Sequence, residues 1–185
     1  RAQAAGFATL VVTVDIPTAT RRERDIRNGL SVPPAFDLRT LMDILQRPAW
    51  ALAMLREGVP EFASIAPYLP GGLSLAQLGL RLAEMIEGHV SREKLQWYRA
   101  QWPGKLIVKG ITHAGDAERA VAAGADGIIV SNHGGRQLDA VRASIDCVAE
   151  VVKAVPPQVV VMADSGVETG VDIARFLAQG AQAVF

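Results

Sequence analysis

Short apolar segments rich in valine and isoleucine alternate along the chain with segments of helical periodicity. The apolar segments span residues 9–15, 105–109, 127–131 and 159–164, and part of a fifth lies at 181–185. Continuous apolar runs of this length are typical of parallel strands that are covered on both faces. The helical segments span residues 114–123, 144–154 and 169–178. This alternation predicts an α/β fold with a parallel sheet.

The junctions from helix into strand repeat one another. The sequences Ala-Ala-Gly-Ala-Asp-Gly at 122–127 and Ala-Gln-Gly-Ala-Gln-Ala at 178–183 both place a glycine just past a helix, where helices often end. A repeated β–α unit is the rhythm of a (β/α)8 barrel, which usually takes about 250 residues. The chain has 185 residues. We therefore expect an incomplete barrel that belongs to a longer protein.

The stretch from about 21 to 102 interrupts this rhythm. It begins with a charged cluster at 21–25 and contains six prolines and several short apolar pieces, and we interpret it as an elaborated loop after the first strand. Within it, Leu75, Leu78, Leu82 and Met85 recur at helical spacing. Such a stripe most often faces a core and less often faces a membrane surface or a partner helix.

The composition narrows the range of partners and compartments. The 19 basic and 19 acidic side chains balance, so nothing indicates a nucleic-acid partner. A single cysteine, Cys147, excludes an internal disulfide and fits a reducing compartment. No signal peptide is recognisable, and no apolar run reaches the roughly 20 residues that a spanning helix needs. We expect a cytoplasmic location.

A polar run follows the third apolar segment. Residues 131–139 read Ser-Asn-His-Gly-Gly-Arg-Gln-Leu-Asp and lie at the strand end, where α/β barrels carry their active sites. The two glycines allow a sharp turn close to a ligand. His133 is suited to act as a base near neutral pH, and Arg136 offers a planar fork that matches a carboxylate. The pair predicts an anionic substrate with a hydroxyl group, against the alternative of a histidine that is merely bonded to loop backbone.

Charged residues end three other apolar segments, namely Asp15, Lys109 and Asp164. A charge is costly in a core but is common at the mouth of a barrel. Asp15 is suited to orient a histidine, and Lys109 to hold negative charge on a cofactor ring. The turn through Ser165 and Gly166 would bring backbone amides toward a phosphate. Each residue alone is compatible with a solvated strand end, so their convergence is what favours an active site.

The run at 131–139 is similar to the signature of the flavin mononucleotide (FMN)-dependent α-hydroxy acid dehydrogenases and oxidases. Further segments resemble this family in the same order along the chain, namely 12–15, 21–28, 108–110 and 164–167 with Gly170. The resemblance covers nearly the whole chain and is weakest from about 58 to 93. It implies one partial TIM-barrel domain over 1–185, with about strands 4 to 7 and the start of strand 8, and the elaborated loop at about 21–102.

The resemblance also implies a reaction and its residues. His133 would remove a substrate proton, and Asp15 would stabilise the resulting imidazolium. Arg22 and Arg136 would bind the substrate carboxylate. The reaction would oxidise an L-2-hydroxy acid of the lactate, mandelate or glycolate class to the 2-oxo acid. Electrons would pass to a quinone, to oxygen or to another acceptor.

The same resemblance implies FMN as the cofactor and assigns five residues to it. Lys109 would lie near the N1/O2 side of the flavin, with Thr13 and Ser131 as polar contacts. Asp164 and Gly166 would line the ribityl and phosphate end, and no metal is implied. The chain departs from the family pattern at Glu168, where an arginine usually faces the phosphate. Because a carboxylate repels a dianion, we expect this change to weaken FMN binding.

Several further expectations follow from the resemblance. Segments 47–50 and 97–102 look closer to family members that work with membrane quinones. Peripheral contact with the inner face of the cell membrane is therefore expected beside the cytoplasmic location, as is a homo-oligomer of the full-length protein. Two alternatives stay open: an FMN-dependent isomerase of the type 2 isopentenyl diphosphate isomerase kind, and a degenerate fragment without catalytic activity.

Overall fold

The computed structural model describes residues 1–16, 23–29, 37–58, 63, 65–70, 73, 77–78, 81 and 88–185. The chain divides into two compact units. The first is formed by Arg1–Arg21 together with Glu87–Phe185, and the second by Arg22–Ile86. The α-helices in the described residues are α1 (Glu23–Arg27), α2 (Leu38–Leu45), α3 (Pro48–Glu57), α4 (Arg92–Gln101), α5 (Ala114–Ala122), α6 (Ser144–Ala154) and α7 (Gly170–Ala178).

The first unit contains a parallel sheet, in which the described strands follow one another in chain order. They are β1 (Thr9–Thr13), β2 (Lys105–Ile111), β3 (Gly127–Val130), β4 (Val160–Ala163) and β5 (Ala183–Val184). Every pairing between neighbouring strands is parallel, so the predicted parallel α/β architecture is confirmed. The strand ends differ from the prediction by up to two residues, because β1 stops at Thr13 and β2 continues to Ile111.

A hydrophobic core lies between this sheet and helices α4 to α7. Val108, Ile128 and Val161 are register partners on three adjacent strands, and all three are buried. The helices contribute buried residues to the same core: Leu95, Ala117, Ala120, Cys147, Val148, Val151 and Phe176. Each large apolar side chain that is fully buried stabilises the fold by about 1.5–3 kcal/mol. This packing holds the carboxyl ends of the strands in a fixed arrangement.

The other face of the sheet carries polar residues at the carboxyl ends of the strands. Thr13, Lys109 and Ile129 are register partners, and since side chains alternate between the two faces of a strand, they share this face. Lower on the same face, Val11 and Val160 are 46% and 42% exposed. The face opposite the helices, which we call the open face, presents Thr13 and Lys109 toward its carboxyl-terminal edge.

An ionic cluster around Asp126 joins the amino-terminal ends of β2 and β3. Oδ2 of Asp126 accepts hydrogen bonds from Nη1 of Arg99 at 2.8 Å and from the backbone amide of Leu106 at 2.9 Å. Nζ of Lys105 lies 3.3 Å from Oδ1. The Leu106 amide is the largest cause that lowers the pKa of Asp126, and the hydrogen bond and charge of Lys105 and the charge of Arg99 add to it. These bonds stabilise the amino-terminal end of the sheet, which in α/β barrels lies opposite the end that carries active sites.

The second unit contains α1, α2 and α3 in its described part. Asp37 caps α2 by accepting a hydrogen bond from the Thr40 amide at 2.8 Å, and Pro48 occupies the first turn of α3. Of the stripe predicted at Leu75, Leu78, Leu82 and Met85, only Leu78 lies among the described residues. The interval predicted as a loop at about 21–102 thus includes helices α1 to α4, of which α4 belongs to the first unit.

A row of exposed apolar side chains lies on one side of α2. Leu38, Leu41, Met42 and Leu45 are spaced so that they share one face of a helix, and they are between 52% and 76% exposed. We call these four residues the apolar stripe of α2. No described helix combines the length and apolar character that crossing a bilayer requires.

Candidate active site

The carboxyl-terminal edge of the sheet brings polar side chains together from four strands. Asp15 follows β1, Lys109 lies in β2, His133 follows β3 and Asp164 follows β4. In a parallel sheet these strand ends meet at one edge, which is where α/β proteins bind ligands. The convergence that the sequence predicted is present in the structure.

His133 and Asp15 form a pair at this edge. Nδ1 of His133 lies 3.1 Å from Oδ1 of Asp15, and their side chains are 29% and 13% exposed. A carboxylate at this distance fixes the orientation of the imidazole ring. In the part of the chain that is described, Oδ2 of Asp15 is buried and has no hydrogen-bond partner. Nδ1 is thus the ring nitrogen that contacts Asp15, which leaves Nε2 as the other nitrogen of the imidazole.

Gly110 makes room for Asp15. The register between β2 and β3 shifts between Lys109 and Ile111, and Gly110 at this irregularity has a φ of 102°. A Cβ at Gly110 would lie 2.5 Å from Cβ and Cγ of Asp15. Gly110 is not among the functional residues predicted from the sequence, although a glycine that interrupts an apolar strand often marks a bulge or a close approach.

The loop that carries His133 is held by hydrogen bonds to its own ends. The His133 amide donates to Oγ of Ser131 at 3.1 Å, and the Gly134 amide donates to Oδ1 of Asn132 at 3.1 Å. Asn132 is itself fixed, because its amide donates to Oγ of Ser144 at 3.1 Å. These bonds maintain a φ of 58° at His133, a left-handed conformation that non-glycine residues seldom adopt. Backbone strain of this kind is frequent at functional sites.

Lys109 joins the second part of the site. Its Nζ lies 3.0 Å from Oδ2 of Asp164 and donates to Oγ of Ser131 at 2.8 Å. Burial favours the neutral form of Asp164, but hydrogen bonds from Ser131, Ser165 and Lys109 and the charge of Lys109 outweigh it, so the pKa of Asp164 is lowered. Asp164 is therefore ionised and holds the ammonium group beside the open face of the sheet.

Among the described residues, Thr13 and Arg136 have no side-chain bond to these clusters, and Gly166 has no side chain. Thr13 is the register partner of Lys109, and Gly166 lies in the turn after β4 with a φ of 71°. Arg136 is exposed at the rim, and no described residue forms a hydrogen bond or an ion pair with its side chain. Arg22 lies outside the described residues.

The residues at this edge fit the ring of a flavin, but one of them does not fit its phosphate. Thr13 and Lys109 lie on the open face, and the buried Ser131 hydroxyl accepts a hydrogen bond from the Lys109 ammonium at 2.8 Å. Polar groups of this kind suit the polar edge of a flavin ring. A Cβ at Gly166 would contact nothing within 4 Å, so backbone there is open to a ligand. Glu168 is exposed at the start of α7, which puts a negative side chain near the expected phosphate. The ring end fits FMN, and Glu168 is a mismatch at the phosphate end.

Comparison with known proteins agrees with this geometry. The family model for FMN-dependent dehydrogenases matches residues 1–185. L-lactate dehydrogenase of Pseudomonas syringae pv. syringae is 42% identical over 185 residues, which are 100% of this chain and 48% of that protein. A putative L-lactate dehydrogenase of Mycobacterium tuberculosis is 40% identical over 182 residues, which are 98% of this chain and 42% of that protein.

Solved structures that match this chain are also hydroxy acid dehydrogenases and oxidases, namely of mandelate. The monotopic membrane protein (S)-mandelate dehydrogenase matches with a TM-score of 0.86 and 37% identity, over 100% of this chain and 48% of its own. A mandelate oxidase matches with a TM-score of 0.66 and 32% identity, over 100% of this chain and 42% of its own. The chain thus spans less than half the length of these relatives, and the predicted partial (β/α)8 barrel is confirmed, with a sheet that is not closed in the described residues. The chain belongs to the family of FMN-dependent dehydrogenases.

Proposed function

We propose that this chain supplies the catalytic base and part of the flavin site of an enzyme that oxidises an L-2-hydroxy acid to the 2-oxo acid. The observation that carries the proposal is the contact of 3.1 Å between His133 and Asp15, beside a lysine that is bonded to Ser131 and Asp164. A base and a cation at one edge of the sheet match a reaction that removes two protons and two electrons from a substrate. The lactate and mandelate dehydrogenases among the relatives support this substrate class.

His133 is the proposed base. Because Nδ1 faces Asp15, Nε2 is the atom that accepts the substrate proton. Oxidation of the C2 alcohol to a ketone releases two protons and two electrons. His133 takes one of these protons, and the second proton would leave with the two electrons to FMN. Asp15 then stabilises the imidazolium through its carboxylate. Such a base typically contributes about 10²–10⁴-fold to the rate.

The substrate carboxylate is bound by arginine in this proposal. The Arg136 guanidinium is exposed at the rim of the site, so it can turn toward an anion without breaking a described bond. A guanidinium binds a carboxylate through two parallel hydrogen bonds, which also orients C2 toward the base. Arg22 is proposed as the second clamp on the strength of the resemblance described above.

The bound FMN supplies the acceptor for the two electrons. Lys109 is proposed to stabilise negative charge at the N1/O2 side of the flavin, with Thr13 and Ser131 as polar contacts. Asp164 and Gly166 are proposed to line the ribityl and phosphate end. In the described structure Asp164 already holds the Lys109 ammonium at 3.0 Å, which keeps that charge at the open face of the sheet.

The proposed oxidation is tested by supplying FMN to the protein and adding hydroxy acids anaerobically. L-lactate, L-mandelate or glycolate should bleach the bound flavin and yield the 2-oxo acid, whereas His133→Gln should slow bleaching by about 10²–10⁴-fold at equal FMN content. His89→Gln is the matched control, because His89 is exposed and lies outside the proposed site. Bound flavin that no hydroxy acid reduces would contradict the proposal. We do not propose the isomerase alternative, since the family and the relatives reported above are dehydrogenases and oxidases.

Peripheral contact with a membrane is proposed as a second property of the protein, with a quinone as the acceptor and oxygen as the alternative. One supporting observation is the apolar stripe of α2, which is flanked in the same unit by the exposed arginines Arg39, Arg47 and Arg56. Apolar side chains beside basic ones favour the surface of an anionic bilayer. The likeness to a monotopic membrane protein also supports this contact.

Sedimentation with vesicles tests the membrane proposal. The protein should sediment with vesicles of phosphatidylcholine and phosphatidylglycerol more than with phosphatidylcholine alone, because the arginines add an electrostatic attraction. The double variant Leu41→Ser with Leu45→Ser should lower partitioning at least about tenfold. Leu177→Ser, at an exposed leucine of α7, is the matched control. Equal sedimentation of the double variant and the parent would refute a role for this stripe.

A further inference from the structure

Ser165 has an unusual backbone conformation that is linked to that of His133. Among the described residues other than glycine, only His133 and Ser165 have a positive φ, at 58° and 77°. The two are connected, because the amide of Gly134, which directly follows His133, donates to Oγ of Ser165 at 3.0 Å. We infer that Ser165 is a positioning residue that holds the His133 loop against the turn after β4.

The hydroxyl of Ser165 is suited to this task by its other bond. It donates its single proton to Oδ1 of Asp164 at 2.8 Å, so its lone pairs point away from that carboxylate and accept the Gly134 amide. Oδ2 of Asp164 in turn holds Lys109 at 3.0 Å. Ser165 therefore links the Lys109–Asp164 ion pair to the backbone that carries the base.

Ser131 completes a ring of hydrogen bonds on the other side. Its Oγ accepts from Lys109 at 2.8 Å and from the His133 amide at 3.1 Å. His133 is thus attached to the ion pair at two successive amides, its own amide through Ser131 and the Gly134 amide through Ser165. A displacement of Lys109 or Asp164 is therefore transmitted to the His133 loop through both serines. Ser165 thus couples the ion pair, which is proposed to contact the flavin, to the proposed base.

The strain at Ser165 separates this role from that of a simple turn residue. A left-handed φ is accessible to glycine without cost but is unfavourable for a residue with a Cβ. If the position served only the turn, Ser165→Gly would relieve strain and leave catalysis unchanged. If the hydroxyl positions His133, the same variant gains backbone freedom and still loses function.

The loss should be partial. The Gly134 amide is shared, because it also donates to Oδ1 of Asn132 at 3.1 Å. Without Ser165, Asn132 still restrains the loop, but the restraint no longer comes from the ion pair. Removal of one such bond typically changes a rate by roughly fivefold to tenfold.

The test compares Ser165→Gly with Ser165→Ala in the FMN-loaded protein, because both remove the hydroxyl and only the alanine retains the strain. Both variants should lower kcat for L-lactate by roughly tenfold, with a smaller change in KM. Both should also shift the ¹⁵N resonances of the His133 ring in the same direction. Thermal unfolding should separate them, with the glycine variant more stable than the alanine variant. Ser91→Ala is the matched control, since the Ser91 hydroxyl accepts a backbone amide of α4 at 3.2 Å outside the proposed site.

These measurements distinguish a positioning role of Ser165 from a role in the turn alone. Ser165→Gly with a wild-type kcat and unshifted His133 resonances would overturn the inference and leave Ser165 as a turn residue only. The role of His133 as the base comes from the proposed function, so the resonances are measured independently of turnover. A wild-type protein that oxidises no hydroxy acid would refute the proposed function, while shifted His133 resonances in both Ser165 variants would still support the positioning role.

Discussion

Replacing Gly110 with alanine should separate Asp15 from His133. A Cβ at position 110 would lie 2.5 Å from Cβ and Cγ of Asp15 and 2.9 Å from its backbone nitrogen, whereas ordinary van der Waals contact begins at 3.4 Å. Asp15 must therefore move by the difference between 3.4 and 2.5 Å, which is 0.9 Å. Because the Asp15 backbone is part of the clash, rotation of the side chain alone does not relieve it. A shift of this size disrupts the contact of 3.1 Å to His133.

The loss in free energy of unfolding expected for Gly110→Ala has a component from backbone strain and a component from packing. A positive φ costs alanine about 1–2 kcal/mol, and an overpacked site costs about 1–3 kcal/mol more. Misplacing a catalytic group by about 1 Å lowers kcat/KM by about 100-fold. Gly110→Ala should therefore reduce both the free energy of unfolding and kcat/KM for L-lactate.

Gly6→Ala is the matched control for this experiment. Gly6 has a φ of 84°, and a Cβ there would contact nothing within 4 Å. This variant should lose only the strain component of about 1–2 kcal/mol and should retain kcat/KM. Urea unfolding and steady-state kinetics at equal FMN content measure both quantities. Equal kcat/KM values in the two variants would refute the reasoning that Gly110 makes room for Asp15.

Further predictions concern charge. Glu168→Arg should strengthen FMN binding at least tenfold, because it replaces repulsion of the phosphate with attraction. Flavin fluorescence measures the affinity. Glu118→Arg, at an exposed glutamate of α5, is the control, and an equal gain in affinity there would contradict a local effect of residue 168. Asp126→Asn should lower the free energy of unfolding by about 1–3 kcal/mol, measured in urea, since it weakens the bonds to Arg99 and Leu106. The folded-state pKa of Asp126 is lowered, so the stabilisation by its carboxylate is present above the unfolded pKa and is lost as the pH falls through the folded pKa. The difference in free energy of unfolding between wild type and Asp126→Asn should therefore shrink in acid. A difference that stays constant with pH would contradict this reasoning.

The sheet was predictable because its signal is local. Strands such as 127–131 are apolar throughout and are followed by helical periodicity, and burial on both faces requires that pattern. The convergence of Asp15, His133 and Lys109 was predictable for a related reason, since parallel strands end at one edge. In each case a local feature of the sequence had a defined consequence for the fold.

The missed features have two different causes. Helices α2 and α3 carried local signals that were available, namely the Asp37 cap and the proline at position 48, but the many prolines nearby favoured a loop. The contact between Gly110 and Asp15 and the bond from Gly134 to Ser165 join segments that are far apart in the chain. No pattern in either segment alone indicates such a contact, so these required the three-dimensional structure.

The central claim is that His133, paired with Asp15, is the base for oxidation of an L-2-hydroxy acid. The most direct measurement is the rate at which L-lactate reduces bound FMN in a single anaerobic turnover, in wild type and His133→Gln with equal FMN content. The account predicts rapid reduction in the wild type and a decrease of about 10²–10⁴-fold in the variant. Equal rates in the two proteins would contradict the account, because another group would then have to take the substrate proton.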